Sequence, residues 1–412
     1  MTALSSAYTS LTGLIAFSRA LDIIGDNVAN LNTVGFKATD LTFESLPPPE
    51  GSQNDSRPAA ESEMPGGGAV VTGTQRRFTP GELRETGTAT HVAVSGDGFF
   101  VLSDGDRYLY TRNGQFQLDK DGNLQDASGK RNVQALVNGV LQDIVIDSDK
   151  TNPASATKTV EFSGILSLNQ ASTGTGANAV QRFTLDSVKV FDVSGVQQTL
   201  KMEFTRTPSG GINIWTVSVK DSAGLELLAA NNKEIRFDGA GNPTTDFSTL
   251  KFKVKNSEGV ESEVTLDFKR ANSFSSIDIS SLAVSKSDGY ALGRLSSFSF
   301  DEKGKVTLQF SNGQKEDGQR LALATFSDPQ LLDTSDGGLF IAPEGTEYRL
   351  GLADEDGFGS IRPRSLELAN VELAREFADI LILQRGFQAS SQVLNVTSKM
   401  IEDIYNSVSG RG

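Results

Sequence analysis

Two long amphipathic segments, one at each end of the chain, constrain the fold more than any other feature. From Ala3 to Asn30 apolar residues recur every three or four positions without a proline, which predicts a helix. A longer run of the same period extends from Leu366 to about Val408, and a helix of that length would measure roughly 60 Å. Each helix has an apolar stripe that must be covered, which favours a coiled coil of the two termini. The alternative is that each helix packs on its own domain.

The apolar stripes identify the residues that we expect in the helix contacts. Small residues among them, such as Ser18, Gly25 and Ser391, permit close approach but bury little surface in a lone pair of helices. We therefore expect neighbouring subunits to complete the burial. The predicted assembly residues are Leu4, Leu11, Leu14, Leu21, Val28, Leu373, Phe377, Ile380, Phe387, Leu394 and Ile401.

Between the two helices the sequence period changes to two. A polar segment, Pro47–Pro65, opens with three consecutive prolines and predicts a linker or extended arm. Beyond it, apolar residues alternate with polar ones in short runs that are separated by glycine-containing turns. The chain contains 41 glycines, in keeping with many turns. The middle of the chain is therefore predicted to be all β.

The charged and reactive residues exclude several classes of function. There are 52 acidic and 38 basic residues, giving a net charge of −14, which argues against nucleic acid or an anionic membrane as the partner. Without cysteine the chain has no disulfides and no thiolate chemistry. No apolar run is long enough to span a membrane, and the N-terminus lacks the pattern of a secretory signal peptide.

The search for catalytic and metal-binding patterns yields only weak candidates. His91, the single histidine, lies before a strand without a serine or a carboxylate pair arranged for a triad. The Asp119–Asn123 segment resembles a calcium loop briefly, but its glycine is fourth rather than sixth, which favours a hairpin turn. The acidic segment Asp354–Gly357 is interpreted as a solvated loop. We predict no catalytic, cofactor-binding or metal-binding residues, and no enzymatic activity.

Several motifs resemble those of one protein family, the bacterial flagellar rod and hook proteins. The first is Gly25–Lys37, with the sequence GDNVANLNTVGFK, in which the asparagines favour the end of a helix and Gly35 permits a positive φ. Two β motifs, Val94–Phe100 and Tyr110–Phe116, and the C-terminal segment Leu368–Ala389 are also similar to the family's. The residues that carry the resemblance are Asn27, Ala29, Asn30, Thr33, Gly35, Phe36, Lys37, Asn370, Gln384 and Arg385.

The resemblance implies a structural subunit that self-assembles into the flagellar hook, a curved tube that transmits torque from the motor's rod to the filament. It implies partners in further copies of the chain, in the distal rod, in the hook cap and hook–filament junction proteins, and in the flagellar type III export apparatus. It also implies an extracellular location on the flagellum, reached without a cleaved signal peptide. The motifs cover about residues 1–125 and 289–408.

The pattern and the resemblance together predict a multidomain α+β protein. Its terminal helices form a coiled coil, and two nested, mostly antiparallel β domains of sandwich or barrel type occupy the middle. The predicted parts are a helical domain of residues 1–30 with 367–412, a linker or arm of 31–75 with 355–366, an inner β domain of 76–149 with 288–354, and an inserted outer β domain of 150–287.

Three other functions are left open by the sequence. A distal-rod protein of the same family is straight and rigid, and the long middle insert argues against it. A secreted β-rich adhesin or glycan-active protein would bind a ligand as a monomer, but gives no reason for the paired terminal motifs. A calcium-binding surface module would be stabilised by calcium.

Overall fold

The computed structural model describes residues 2–46, 67–169, 172–173, 180–209, 212–229, 233–274, 278–335 and 337–409. The predicted arm, Pro47–Pro65, lies outside the described residues. Two long helices occupy the ends, α1 from Thr2 to Ala29 and α2 from Leu373 to Ser409. The predicted start of the second helix at Leu366 is wrong, because Ser365–Glu367 is a strand whose backbone pairs with Leu83–Glu85.

Short strands make up almost all the remaining regular structure. In chain order those before the middle of the chain are β1 (Thr39–Ser45), β2 (Ala69–Arg76), β3 (Leu83–Glu85), β4 (Val92–Ser95), β5 (Phe99–Ser103), β6 (Tyr108–Thr111), β7 (Phe116–Leu118), β8 (Leu124–Asp126), β9 (Asn132–Val137), β10 (Val140–Asp143), β11 (Thr151–Asn152), β12 (Thr159–Ser167), β13 (Ser172–Thr173), β14 (Val180–Phe191) and β15 (Gln197–Ser209). The others are β16 (Ile212–Lys220), β17 (Glu234–Phe237), β18 (Thr249–Lys255), β19 (Glu261–Phe274), β20 (Ala283–Ser287), β21 (Gly293–Phe300), β22 (Lys305–Phe310), β23 (Lys315–Arg320), β24 (Ala322–Phe326), β25 (Asp333–Ser335), β26 (Leu339–Ile341), β27 (Tyr348–Leu352), β28 (Ser360–Pro363) and β29 (Ser365–Glu367).

The chain divides into two compact units. The first comprises Met1–Ser148, Phe298–Thr307 and Asp317–Gly412, and the second comprises Asp149–Ser297 and Leu308–Glu316. The second unit contains one sheet of order β13-β14-β15-β16-β17 and another of order β18-β19-β12-β20. Buried side chains of both sheets, among them Phe162 and Trp215, share a single hydrophobic core. Alternating apolar residues thus form a sandwich, as period-two strands do when each buries one face.

The first unit contains a ten-stranded sheet whose central order is β25-β26-β6-β5-β9-β8-β7. Phe99, Tyr110 and Phe340 lie in its core, and their rings meet those of neighbouring aromatic residues edge to face. Three two-stranded pairs also belong to this unit: β1 with β2, β4 with β28 and β3 with β29. In the last two pairs, a strand from early in the chain is paired by one that directly precedes α2.

The structure is mostly β with one helix at each end and several antiparallel sheets, which confirms the fold class at that level. The pair β12 and β19 is parallel, and its neighbours in the same sheet are antiparallel. The coiled coil, the nesting and the four domain boundaries stay predictions.

Candidate functional site

The two terminal helices pack against each other in antiparallel orientation. A Cβ atom placed on Gly13 would lie 3.1 Å from the hydroxyl of Ser390, and one placed on Gly386 would lie 2.7 Å from the ring of Phe17. At the other end of the pair, the Asn27 amide donates to the Glu376 carboxylate at 3.2 Å. Residue numbers rise along α1 as they fall along α2, so the helices run in opposite directions.

The line of closest approach between α1 and α2 is formed mainly by small residues. Gly13 and Ala20 lie in it on α1, and both are buried. On α2 the line passes through Leu383, Gly386 and Ser390, and it ends near the buried Thr397. Gly13, Ala20, Gly386 and Ser390 each lie one residue away from a position of the apolar stripe that the sequence predicts, whereas Leu383 and Thr397 lie on the predicted face. The bulky residues of the predicted stripe therefore flank the contact line.

The predicted assembly residues fall into three groups. Leu21, Val28 and Ile380 are partly buried against Ala20, Ile24 and Leu383, and Leu14 and Leu394 are also half-buried. The side chains of Leu11, Leu373, Phe377, Phe387 and Ile401 are 38–50% exposed. The side chain of Leu4 lies outside the described residues. Whether the exposed group is covered in an assembly stays a prediction.

Replacing Gly386 by alanine is expected to destabilise the helix pair. Alanine raises helix propensity by about 1 kcal/mol relative to glycine, but the added methyl group would meet the Phe17 ring at 2.7 Å. Overpacking of this kind costs about 1–3 kcal/mol, so a net loss of about 1 kcal/mol follows. Urea unfolding followed by far-UV circular dichroism measures the change.

The matched control is Gly25→Ala in α1, where a Cβ atom meets nothing within 4 Å. This variant gains the helix propensity without a clash and should be stabilised by about 0.5–1 kcal/mol. Equal stabilisation of both variants would show that Phe17 does not rest on Gly386.

Asn27 connects the helix pair to the hairpin of β1 and β2. Its side chain is buried, accepts from the backbone N–H of Thr39 at 2.9 Å and donates to the backbone oxygen of Thr39 at 3.0 Å. Its third bond, to Glu376, reaches α2. Asp40, the next residue of β1, is paired with Arg77 and lies 3.7 Å from Arg375 of α2. The hydrogen bond from Arg77 holds the pKa of the Asp40 carboxyl below its ordinary value.

A second buried group joins four separate parts of the chain at the carboxylate of Glu367. Lys37 donates to this carboxylate at 2.5 Å, the backbone N–H of Gly81 at 2.8 Å, and Arg112 at 3.4 Å. The charged residues Lys37, Arg112 and Glu367 are 1%, 3% and 0% exposed. Lys37 also donates to the Thr79 carbonyl at 2.9 Å. We call these three charged residues the buried charge cluster.

Burial lowers the pKa of Lys37 below its ordinary value, and the neighbouring Glu367 opposes that shift. Burial also lowers the pKa of Arg112, again opposed by Glu367. A buried charge is tolerated only when it is paired and hydrogen-bonded. Glu367 is thus the anion that both cations require.

Backbone geometry brings the exit of α1 to this cluster. Gly35 has a φ of +70°, and a Cβ atom there would lie 2.6 Å from the backbone nitrogen of Asn113. Its own N–H donates to the Glu367 carbonyl at 2.8 Å. Asn370 accepts from the N–H of Ala38 at 2.8 Å and donates to the carbonyls of two residues that follow β2, Arg77 and Thr79. The two family motifs therefore meet each other in space.

The other motif residues lie further from the charge cluster. Asn30 donates to the backbone oxygen of Asp26 and accepts from Thr33, so these side chains close the turn after α1. Phe36 is half-buried, and its backbone oxygen accepts from Asn370. Ala29, Gln384 and Arg385 are exposed. Sequence reasoning missed the roles of Glu367 and Arg112. The position of Glu367 between two leucines, Leu366 and Leu368, could have indicated a buried carboxylate.

The weaker sequence candidates have structural surroundings. The Asp119 carboxylate accepts from the backbone N–H groups of Asp121 and Asn123, which caps the hairpin turn. His91 lies 3.0 Å from the hydroxyl of Thr86, and burial lowers its pKa. In the described part of the chain, no group of three or more histidine and acidic side chains is placed to hold a metal ion. None of the described helices is long and apolar enough to cross a membrane.

Three family models match the chain in order. They are described as a flagella basal body rod protein at residues 8–37, a flagellar hook protein FlgE/F/G D1 domain at 93–166 and a flagellar basal body rod FlgEFG protein C-terminal region at 362–407. The flagellar hook protein FlgE of Treponema pallidum is 27% identical, covering 97% of this chain and 98% of that protein. FlgE of Escherichia coli is 26% identical, covering 96% and 98%. A crystal structure of Helicobacter pylori flagellar hook protein FlgE2 shares 16% identity with a TM-score of 0.48, covering 70% of this chain and 100% of that one.

Proposed function

Because this chain belongs to the family of flagellar rod and hook proteins, we propose that it is a structural subunit of the flagellar hook, which self-assembles into a curved, flexible tube. Relatives that match almost the whole chain are hook proteins, which favours the hook over the distal rod. The proposed role is mechanical and needs no catalytic residue.

The observation that carries the proposal is the amount of apolar surface that the helix pair leaves exposed. Contiguous apolar surface of this kind marks an interaction site in soluble proteins. The exposed side chains are Tyr8, Leu11 and Ile15 on α1, and Leu373, Phe377, Leu381, Ile382, Phe387, Val393, Val396, Met400, Ile401, Ile404 and Tyr405 on α2. A helix that is apolar on several sides is stable only inside a larger packed structure. Packing of many copies supplies such a structure.

The polar side of α2 supports a placement next to an aqueous channel. Arg385, Gln392 and Lys399 follow one another at intervals of seven residues and are exposed. They lie about 200° around the helix from the line that contacts α1, so they point away from it. In the proposed tube these residues line the channel through which later subunits are exported. The partners would be further copies, the distal rod, the hook cap and junction proteins, and the type III export apparatus.

In this proposal the predicted inner and outer β domains would lie outside the helical tube. Polar contacts between the outer surfaces of neighbouring copies would exchange as the tube rotates, whereas a large apolar contact would fix one curvature. The proposed location is extracellular, at the base of the flagellum.

Electron microscopy of polymers formed by the purified chain tests the proposal. Curved hollow tubes are expected from the unmodified chain, whereas a distal-rod protein would form straight ones. Replacing Leu394 and Ile401 by aspartate should abolish tubes, and should abolish hooks and motility in cells that make only this variant. Normal tubes from the double variant would rule out the terminal helices as the assembly core. Soluble monomers that bind a glycan would favour the adhesin.

A further inference from the structure

Most of the exposed apolar residues of α2, all except Leu381 and Ile404, fall on two separate faces on opposite flanks of its contact with α1. We call the first face A, consisting of Leu373, Phe377, Phe387, Ile401 and Tyr405, and the second face B, consisting of Ile382, Ala389, Val393, Val396 and Met400. We propose that face A of one copy packs on face B of the next copy. This inference rests on the proposed function and adds to it the side on which each neighbour binds.

Helix geometry separates the two faces. The α1 contact line passes through Glu376, Leu383, Ser390 and Thr397. Each residue of an α-helix is rotated by about 100° from the one before it. Side chains one and four positions after a residue of the contact line therefore point about +100° and +40° away from α1, and they form face A. Side chains one position before and three positions after a residue of the contact line point about −100° and −60° away from α1, and they form face B. The helix can therefore contact two neighbours at once, with α1 between them.

The two faces differ in the size of their side chains. Face A has the large side chains, including the rings of Phe377 and Phe387, both well exposed. Face B has the smaller side chains of Ala389, Val393 and Val396 at its centre and Ile382 and Met400 at its ends, and it offers shallow grooves between its central side chains. Helices pack by inserting the ridges of one surface into the grooves of the other. Face A on face B satisfies this, whereas face A on face A would bring large rings together.

A second copy fits face B better than the undescribed segment of the same chain does. That segment, residues 47–66, contains one large apolar residue, Met64, and is otherwise polar, proline or small. It therefore lacks the side chains to cover a face with four large apolar residues. Face A of another copy supplies rings and branched chains in the same heptad spacing along the helix.

The pairing of unlike faces determines the kind of assembly. A contact between unlike surfaces leaves one free surface of each kind, so a third copy adds in the same way, and the array continues as an open helix unless the rotation between copies closes it into a ring. Contact between like faces would produce closed pairs. Face A on face B is therefore compatible with a helical tube that grows by repeated addition of copies, whereas closed pairs are not.

Charge substitutions test whether both faces are interfaces. Two double variants of the purified full-length chain are compared with the unmodified chain. One carries Phe377→Lys and Ile401→Lys on face A, and the other carries Val393→Lys and Val396→Lys on face B. Each double variant should have a critical concentration for polymerisation about tenfold higher or more, because assembly would bury unpaired lysine ammonium groups in the interface. Gln388→Lys with Gln392→Lys adds the same charge on the polar side of α2 and should leave polymerisation almost unchanged. Normal polymerisation of either face variant would overturn the proposal.

Crosslinking tests which faces meet, and the cysteine-free chain makes it specific. Gln384→Cys lies at the edge of face A, and Ala389→Cys lies on face B; both side chains are exposed. Polymers mixed from the two variants and treated with a flexible bis-maleimide should give dimers linking residue 384 to residue 389 several-fold more than dimers linking like positions. A predominance of 384–384 or 389–389 dimers would contradict the pairing of unlike faces.

These results are separable from the proposed function. Tubes from the unmodified chain with like-face crosslinks would leave the hook proposal standing and remove the A-on-B contact. Failure of the unmodified chain to form tubes counts against both.

Discussion

Replacing Glu367 by glutamine is expected to destabilise the first unit by about 3–5 kcal/mol, because the change leaves two buried cations without their anion. Lys37 and Arg112 both donate to this carboxylate and are almost completely buried, so water cannot replace it. The free energy of opening is measured by hydrogen exchange at the backbone amides of β3 and β4. β3 pairs with β29, which ends at Glu367 itself, and β4 pairs with β28, which ends four residues earlier.

Two controls make the measurement specific. Glu302→Gln removes an exposed carboxylate that contacts Arg362, and a surface pair of this kind contributes about 0–1 kcal/mol. Trp215, the single tryptophan, is buried in the second unit, so its fluorescence reports the unfolding of that unit. The midpoint of this unfolding transition should be the same in Glu367→Gln as in the unmodified chain. If Glu367→Gln and Glu302→Gln had equal effects, the buried charge cluster would not hold this junction together.

Replacing Gly35 by alanine is expected to destabilise the same unit by about 2–5 kcal/mol. A φ of +70° costs an alanine about 1–2 kcal/mol, and the new Cβ atom would lie 2.6 Å from the Asn113 nitrogen and 2.8 Å from the Arg112 carbonyl carbon. Both obstructing atoms belong to the backbone, so the turn must move away from Arg112. Hydrogen exchange at the Gly35 and Ala38 positions, whose amides donate to Glu367 and Asn370, measures the loss.

Gly87 provides the matched control for Gly35. Its φ is +75°, but a Cβ atom there would meet nothing within 4 Å. Gly87→Ala should therefore cost only the conformational part, about 1–2 kcal/mol. A Gly35→Ala variant no less stable than Gly87→Ala would mean that the close approach to Asn113 does not constrain the turn.

The candidate site was only partly predictable from the sequence. The family motifs identified Asn27, Gly35, Lys37 and Asn370, and all four make the contacts that join the helices to the sheets. The partners Glu367 and Arg112 were not predicted. They lie 255 positions apart in the sequence, and Glu367 reaches Lys37 through long-range backbone contacts, the pairing of β3 with β29 and the hydrogen bond from Gly35. Local period and propensity contain no information about such a pairing.

The apolar period by itself determined that both ends are helical and that the middle is β, because these periods follow from the geometry of the helix and the strand. Tertiary structure decided which side of each helix meets the other. The sequence pattern predicted a seam of large apolar residues with small ones among them, and Leu21, Val28 and Ile380 do pack there. The closest contacts, however, are made at Gly13, Ala20 and Gly386, since two backbones approach closely only where side chains are small. The large residues, Phe377 and Phe387 among them, remain on the outside of the pair. Only the folded chain shows that surface, because burial depends on which side chains a neighbouring helix displaces from water.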